Sequence, residues 1–244
     1  MNERGVLFDE YLTQHLSHAG NSELHRKHKK AMLLHNYGHL LPDNKSARIL
    51  DIGPGYGELL ELLSIDLSYK CVKTVDLSCE VVKYCNTLVP NSSLLVKDTC
   101  NYLDTHPKEF DCIFLMHILE HIPKDKVIPF LLTISKALAP SGRIIVEVPN
   151  MNNFFTGIAM RYNDFTHEVG FTELSLSQVF RMAGLSNIQI SEVNQPVNRV
   201  IKIFQVMMQS LIKLVIRMIF KTYRMPGNSI FSISMYGTAI KRKY

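Results

Sequence analysis

Asp51-Ile52-Gly53-Pro54-Gly55-Tyr56-Gly57 closes an apolar run and opens a leucine-rich one, Glu58-Leu59-Leu60-Glu61-Leu62-Leu63-Ser64. Glycines at alternate positions let a backbone turn sharply and approach a ligand closely. A helix starting there points unpaired N–H groups at the loop, which suits a carboxylate. The stretch reads as strand, ligand-cradling turn and helix. Dinucleotide enzymes use such a turn too, but their fingerprint needs glycine at its sixth position, where Glu58 stands here.

Outward from this loop, apolar runs alternate with helical stretches. Strands are expected near 47–52, 70–76, 93–97, 110–115 and 142–148, and helices near 57–65, 78–88 and 124–138. That alternation predicts parallel strands joined by right-handed crossovers: an α/β, doubly wound, open sheet that binds ligands beyond the carboxyl ends of its strands. Further on, 173–183 reads as helix, 187–193 as strand and 229–241 as a last strand. Upstream, 23–41 reads as an amphipathic helix that Pro42 ends. The 244 residues are expected to form a single domain, 1–244, with a helical lid over 1–42 and a helical insertion at 197–226.

Two further carboxylates follow expected strands. Asp76 stands 25 positions after Asp51 and could accept both hydroxyls of a ribose, while Asp98 could receive an adenine amino group. Either could instead be a helix cap.

The segments ILDIGPGYGELL (49–60), TVDLS (74–78), FDCIFLMHILEHIP (110–123) and LAPSGRIIVEVPN (138–150) resemble successive motifs of class I S-adenosylmethionine-dependent methyltransferases. The resemblance runs from about residue 25 to about 193 and extends to a subgroup acting on surface glycans and small molecules. It implies a seven-stranded sheet whose last strand is antiparallel, with S-adenosyl-L-methionine as donor and S-adenosylhomocysteine as product. It also implies site roles. Asp51, Gly53, Gly55 and Gly57 would hold the methionine part, Asp76 and Leu77 the ribose, and Asp98 and Thr99 the adenine. Met116 and His117 would flank the sulfonium. Pro54 stands where many members carry Cys or Ser.

A sulfonium donor is already activated, so the protein chiefly aligns donor and acceptor and excludes water. An aliphatic hydroxyl additionally benefits from a positioned base. The stretch DFTHEVGFTELSLSQVFRMAGL (164–185) offers one: His167, assisted by Asp164, is the expected base or acceptor anchor. Tyr162, Asn150 and His121 are expected acceptor contacts, with Glu147 a weaker one. His117 and His121 form an i, i+4 pair around Glu120, but no third ligand is placed, and no metal is expected.

Charge is unevenly spread. Residues 1–192 hold 18 basic and 22 acidic residues, a net −4, whereas 193–244 hold 9 basic and no acidic residues. The body therefore lacks the basic excess that grips a phosphate backbone, and no nucleic-acid partner is expected. Along 197–224 the polar residues 199, 202, 209, 213, 217, 221 and 224 fall on one helical stripe and most of the rest is apolar. Six cations there argue against a transmembrane span and for a helix in a membrane interface or a homodimer contact. Five cysteines without a C-x-x-C pair, and a charged N-terminus without an apolar stretch, suit a cytoplasmic protein, peripheral at the inner face of the membrane if the helix binds lipid.

The expected activity is O-methylation of a carbohydrate-type or phosphorylated acceptor in cell-surface glycan synthesis. A quinone or other lipid is the alternative acceptor. An NAD-dependent oxidoreductase or a non-catalytic donor-binding module are readings of another class.

Overall fold

The computed structural model describes residues 22–196, 200–224 and 230–242. Part of the expected lid (1–21) and the two ends of the insertion, with Pro226-Gly227 and the start of the last strand, lie outside the described residues. Helix α1 (Glu23–Tyr37) leads into β1 (Arg48–Ile52), α2 (Glu58–Glu61, continued by a π-helical turn to Asp66), β2 (Cys71–Asp76) and α3 (Cys79–Leu88). Then come β3 (Ser93–Leu95), α4 (Thr99–Asp104), β4 (Phe110–Met116), α5 (Val127–Ala137) and β5 (Leu138–Pro149). The chain ends with α6 (Gly157–Tyr162), α7 (Glu173–Met182), β6 (Leu185–Glu192), α8 (Val200–Thr222) and β7 (Ser234–Lys241).

The seven strands form one sheet in the order β3-β2-β1-β4-β5-β7-β6, and β7 runs antiparallel to both neighbours. Both expectations for the sheet hold. Strand β5 is longer than its sequence suggests because Leu138 already pairs with Phe110; the Pro140-Ser141-Gly142 turn then shifts the register before Arg143 pairs with Cys112.

Central strands are apolar on both faces because helices cover both. Ile49, Phe114 and Ile145 pack with Leu33 and Tyr37 of α1, Leu59 and Leu60 of α2, and Val81 of α3. Their neighbours Leu50, Leu115 and Val146 turn the other way, onto Phe130 and Ile134 of α5 and Leu176 and Phe180 of α7. The helices start on side-chain caps where the sequence supplies them: Ser78 before α3, Asp98 before α4, and a reciprocal Thr172–Ser175 box before α7.

Helix α8 carries its cations and its apolar residues on different faces. Two of its cations face the body: Lys213 Nζ meets Glu192 Oε2 at 2.6 Å, and both Lys213 and Arg217 lie over the Phe231 ring. The apolar side faces outward. Met207, Phe204, Leu211, Leu214, Val215, Met218 and Ile219 are all exposed. Only two cations fall between 203 and 220, and Ile203–Thr222 is long and apolar enough to cross a bilayer by length and composition. Counting cations over the wider segment therefore understated its apolar character.

Candidate active site

The glycine loop leaves the carboxyl end of β1 with Gly53, Gly55 and Gly57 in left-handed backbone, φ 73°, 54° and 68°. A side chain at Gly53 would collide with Ile118, its Cβ falling 2.2 Å from Cδ1; one at Gly57 would fall 2.9 Å from Leu88 Cδ1. Gly53 N–H donates to the Val75 carbonyl at 2.9 Å, so the loop starts from a pinned strand end. Helix α1 holds the loop from outside: Arg26 donates to the Tyr56 carbonyl at 2.9 Å and to Tyr84 Oη at 3.2 Å, and pairs with Glu61.

Asp51 is buried at 1% exposure, and neither of its oxygens meets a donor among the described residues. Burial, with the charges of Asp76 and Glu58, pushes its carboxyl up to about 7. Such an orphan carboxylate beneath a glycine cradle calls for a cationic ligand group, and the α-ammonium of a methionine moiety fits it. Asp76 ends β2 with Oδ1 accepting from Ser78 N–H at 2.7 Å; burial outweighs that bond and raises it to about 6. Leu77 beside it is exposed. Asp98 is exposed and caps α4 through Asn101 N–H at 3.1 Å, the alternative that its position had left open. Thr99 begins that helix.

Past β4, Met116 is half-buried and His117 adopts left-handed backbone (φ 57°), a conformation that costs a non-glycine residue about 1 kcal/mol or more. Its ring is clamped at both nitrogens, Nδ1 to Glu120 Oε1 at 3.0 Å and Nε2 to Glu147 Oε1 at 3.1 Å. Burial opposes the charge, but the two carboxylates prevail and hold His117 well above the usual histidine range. Tyr37 of α1 donates to the other Glu147 oxygen. Glu147 is thus an internal brace, held well below the usual carboxylate range because His117 outweighs the cost of burial.

Three expected acceptor residues converge. Backbone N–H groups of Glu168 and Val169 donate to the Glu120 carbonyl at 2.8 and 3.0 Å, which carries the 164–168 loop onto the turn after β4. There His121 Nδ1 meets Thr166 Oγ1 at 2.8 Å, Thr166 Oγ1 donates to Asp164 Oδ1 at 2.6 Å, and the His121 and His167 rings cross edge-to-face with centroids 4.8 Å apart. His167 Nε2 lies 4.0 Å from Asp164 Oδ2. Burial works against the Asp164 charge, yet the Thr166 hydrogen bonds keep its pKa lowered.

Two expected contacts fare differently. Asn150 is fully buried; its amide donates to the Ile230 and Ser232 carbonyls and its oxygen accepts from Asn152 N–H. It braces the approach to β7 and is not available to an acceptor. Tyr162 is 75% exposed and lines a cleft of about 280 Å³ with Met151, Arg161 and Gly170. Glu120 carried no expected role of its own, although the His-x-x-Glu-His spacing marked it.

Fold and site together define an α/β protein with a nucleoside-type donor loop at a strand end and a polar cluster across from it. A family model described as "Methyltransferase domain" matches residues 23–190, and the chain belongs to that family. It is a methyltransferase whose donor is S-adenosyl-L-methionine, which sets aside the oxidoreductase reading. No curated sequence matches the chain. Among solved structures it is similar to a SAM-dependent methyltransferase from Archaeoglobus fulgidus (TM-score 0.62, 19% identity, 89% of this chain and 98% of that one). A second, from Thermotoga maritima and described as a possible histamine N-methyltransferase, gives TM-score 0.64 at 14% identity over 96% and 99%. Phosphoethanolamine N-methyltransferase 2 of Haemonchus contortus, in complex with S-adenosyl-L-methionine, gives 0.59 at 14% over 97% and 60%.

Proposed function

We propose that this methyltransferase transfers methyl to a hydroxyl oxygen of a membrane-borne acceptor, a carbohydrate-type or phosphorylated precursor of a cell-surface glycan. The donor supplies a methyl group already activated on sulfonium. Gly53, Gly55 and Gly57 receive its methionine part, with the Asp51 carboxylate facing the ammonium. Asp76 and Leu77 take the ribose, Asp98 and Thr99 the adenine edge. Met116 borders the sulfonium, and His117 fixes Glu120 and Glu147 beside it. Helix α1, latched to the Tyr56 carbonyl by Arg26, closes the loop as a lid.

The single observation behind the oxygen acceptor is the His121–Thr166–Asp164–His167 cluster. A carboxylate acceptor would need no such group, whereas a sugar hydroxyl must lose a proton as its oxygen attacks. His167, with Nδ1 directed at the Met160 carbonyl, presents Nε2 to take that proton, and Asp164 stabilises the resulting charge. Tyr162 at the rim contacts the acceptor.

The membrane assignment rests on α8. At 100° per residue, the ten apolar residues 203, 204, 207, 208, 211, 212, 214, 215, 218 and 219 fill one outward half of the helix. An apolar strip of this kind marks an interaction surface. Residues 193–244 carry nine basic and no acidic residues, a charge that an anionic bilayer complements. The same face favours a quinone or lipid acceptor as the second reading.

Tritiated donor, incubated with the protein and total membranes, tests the proposal. Label in an acid-labile glycolipid fraction supports it, and label in the quinone fraction supports the second reading. Label confined to water-soluble products rejects the membrane-borne acceptor.

A further inference from the structure

Glu120 is buried at 1% exposure. Its Oε1 is taken by His117, and its Oε2 has no hydrogen-bond donor among the described residues. An ordinary core would not leave a buried carboxylate oxygen this way, since an unpaired buried polar atom is costly. One candidate ligand atom from each of Glu120, His121 and His167 lies within 4.8 Å of the others.

Hydrogen-bond direction fixes both rings. The Met160 carbonyl can only accept, so His167 Nδ1 is the donor at 2.7 Å and the lone pair resides on Nε2. Thr166 Oγ1 spends its hydrogen on Asp164, so it accepts from His121 Nδ1, whose lone pair is likewise on Nε2. A histidine whose far N–H is anchored on a carbonyl, hydroxyl or carboxylate chain is oriented as metal-bound histidines are. His117 does the same for Glu120, leaving Oε2 as its open atom.

We propose that Glu120, His121 and His167 bind a divalent first-row transition-metal ion. Two imidazoles and one carboxylate suit zinc, manganese, iron or cobalt better than calcium or magnesium. Bonds of about 2.0–2.2 Å to such an ion require the three ligands to close in by about 1.5 Å at most. The sequence hid this site because the i, i+4 pair that it displays, His117 and His121, is not the pair that converges. The consequence for catalysis rests on the acceptor reading above: an ion here would lower the pKa of a bound acceptor hydroxyl enough for solvent water to take the proton, with His167 then holding the ion instead of acting as the base. Binding of the ion does not depend on that reading.

The test uses the full chain, treated with chelator and titrated separately with Co²⁺ and Zn²⁺. Calorimetry is expected to show one ion per chain at micromolar affinity or tighter, and Co²⁺ to give visible d–d bands. Glu120→Gln and His167→Gln should each weaken binding at least 100-fold, while His106→Gln, a histidine outside the cluster, should not. Retained S-adenosylhomocysteine binding verifies that each variant is folded. Wild-type protein that shows no saturable uptake of either ion overturns the proposal, as does undiminished binding by the folded variants. Metal uptake combined with full turnover by His167→Gln would retain the ion site and overturn the acceptor reading instead.

Discussion

Asp51 and Asp76 lie at the carboxyl ends of two paired parallel strands, β1 and β2, and the charge of Asp76 adds to burial in pushing the Asp51 carboxyl up to about 7. Its ordinary value is 3.8. Between about pH 4 and 7 the folded chain therefore keeps a proton that the unfolded chain has released. Stability from this group is present at low pH and lost as pH rises through the window, by up to about 1.4 kcal/mol per pH unit. A ligand cation over Asp51 reverses the preference, because it binds the ionised form. S-adenosylhomocysteine affinity should rise from pH 6 to pH 8, and Asp51→Asn should flatten that rise while stabilising the ligand-free protein at pH 8. Calorimetric titration and thermal unfolding at the two pH values read both effects; a pH-independent affinity in the wild type would sink the assignment of Asp51 to the donor.

The glycine loop can be separated from glycines in general. Gly53 and Gly184 share φ +73°, but a Cβ at Gly53 meets Ile118 at 2.2 Å and one at Gly184 meets nothing within 4 Å. Gly184→Ala should cost only backbone strain, about 1 kcal/mol. Gly53→Ala adds overpacking, for a total of about 2 to 4 kcal/mol, and should abolish donor binding. Denaturant unfolding of the two variants checks the difference. Equal losses would mean that the loop is not crowded by the turn after β4.

Arg26 joins the lid to the donor loop through three acceptors, the Tyr56 carbonyl, Tyr84 and Glu61. Hydrogen bonds to a charged group contribute about 1.5 to 3 kcal/mol, so Arg26→Ala should weaken donor affinity by about tenfold or more. Arg26→Lys should not restore it, since one ammonium does not reproduce the guanidinium fork. Lys27→Ala, which removes only an exposed pair with Glu23, serves as the control. Wild-type affinity in Arg26→Ala would detach α1 from the donor site.

Much of this architecture was legible because its signals are local. Alternating apolar runs gave the strands, and the glycine spacing with Glu58 separated the loop from a dinucleotide fingerprint. Short elements were missed: α4 and α6 span six residues each, too few for periodicity to register. Polarity misled at Asn150, since a buried amide that braces carbonyls 80 residues away looks in sequence like one that greets a ligand. The Glu120–His167 approach depends on loop-to-turn backbone bonds across 48 positions, which no spacing rule encodes. A helical wheel likewise shows which residues of α8 share a face, not which face meets the body.

The orientation of α8 decides how it can meet a membrane. With Lys213 bound to Glu192 and Arg217 over Phe231, the middle of α8 is tied alongside the domain and its apolar half is turned outward. Met207→Asp, Leu211→Asp and Met218→Asp, combined in the full chain, place three carboxylates on the outward arc and leave the inward contacts alone. Wild-type protein should float with vesicles containing anionic phospholipid and float less with neutral ones, because cations near a charged leaflet contribute about 1 kcal/mol each. The triple variant should stay at the bottom of the gradient and still bind S-adenosylhomocysteine. If wild type and variant float equally, lipid is not what the apolar arc meets; if the wild type fails to float and sediments as a dimer that the variant abolishes, a second copy of the chain covers it instead.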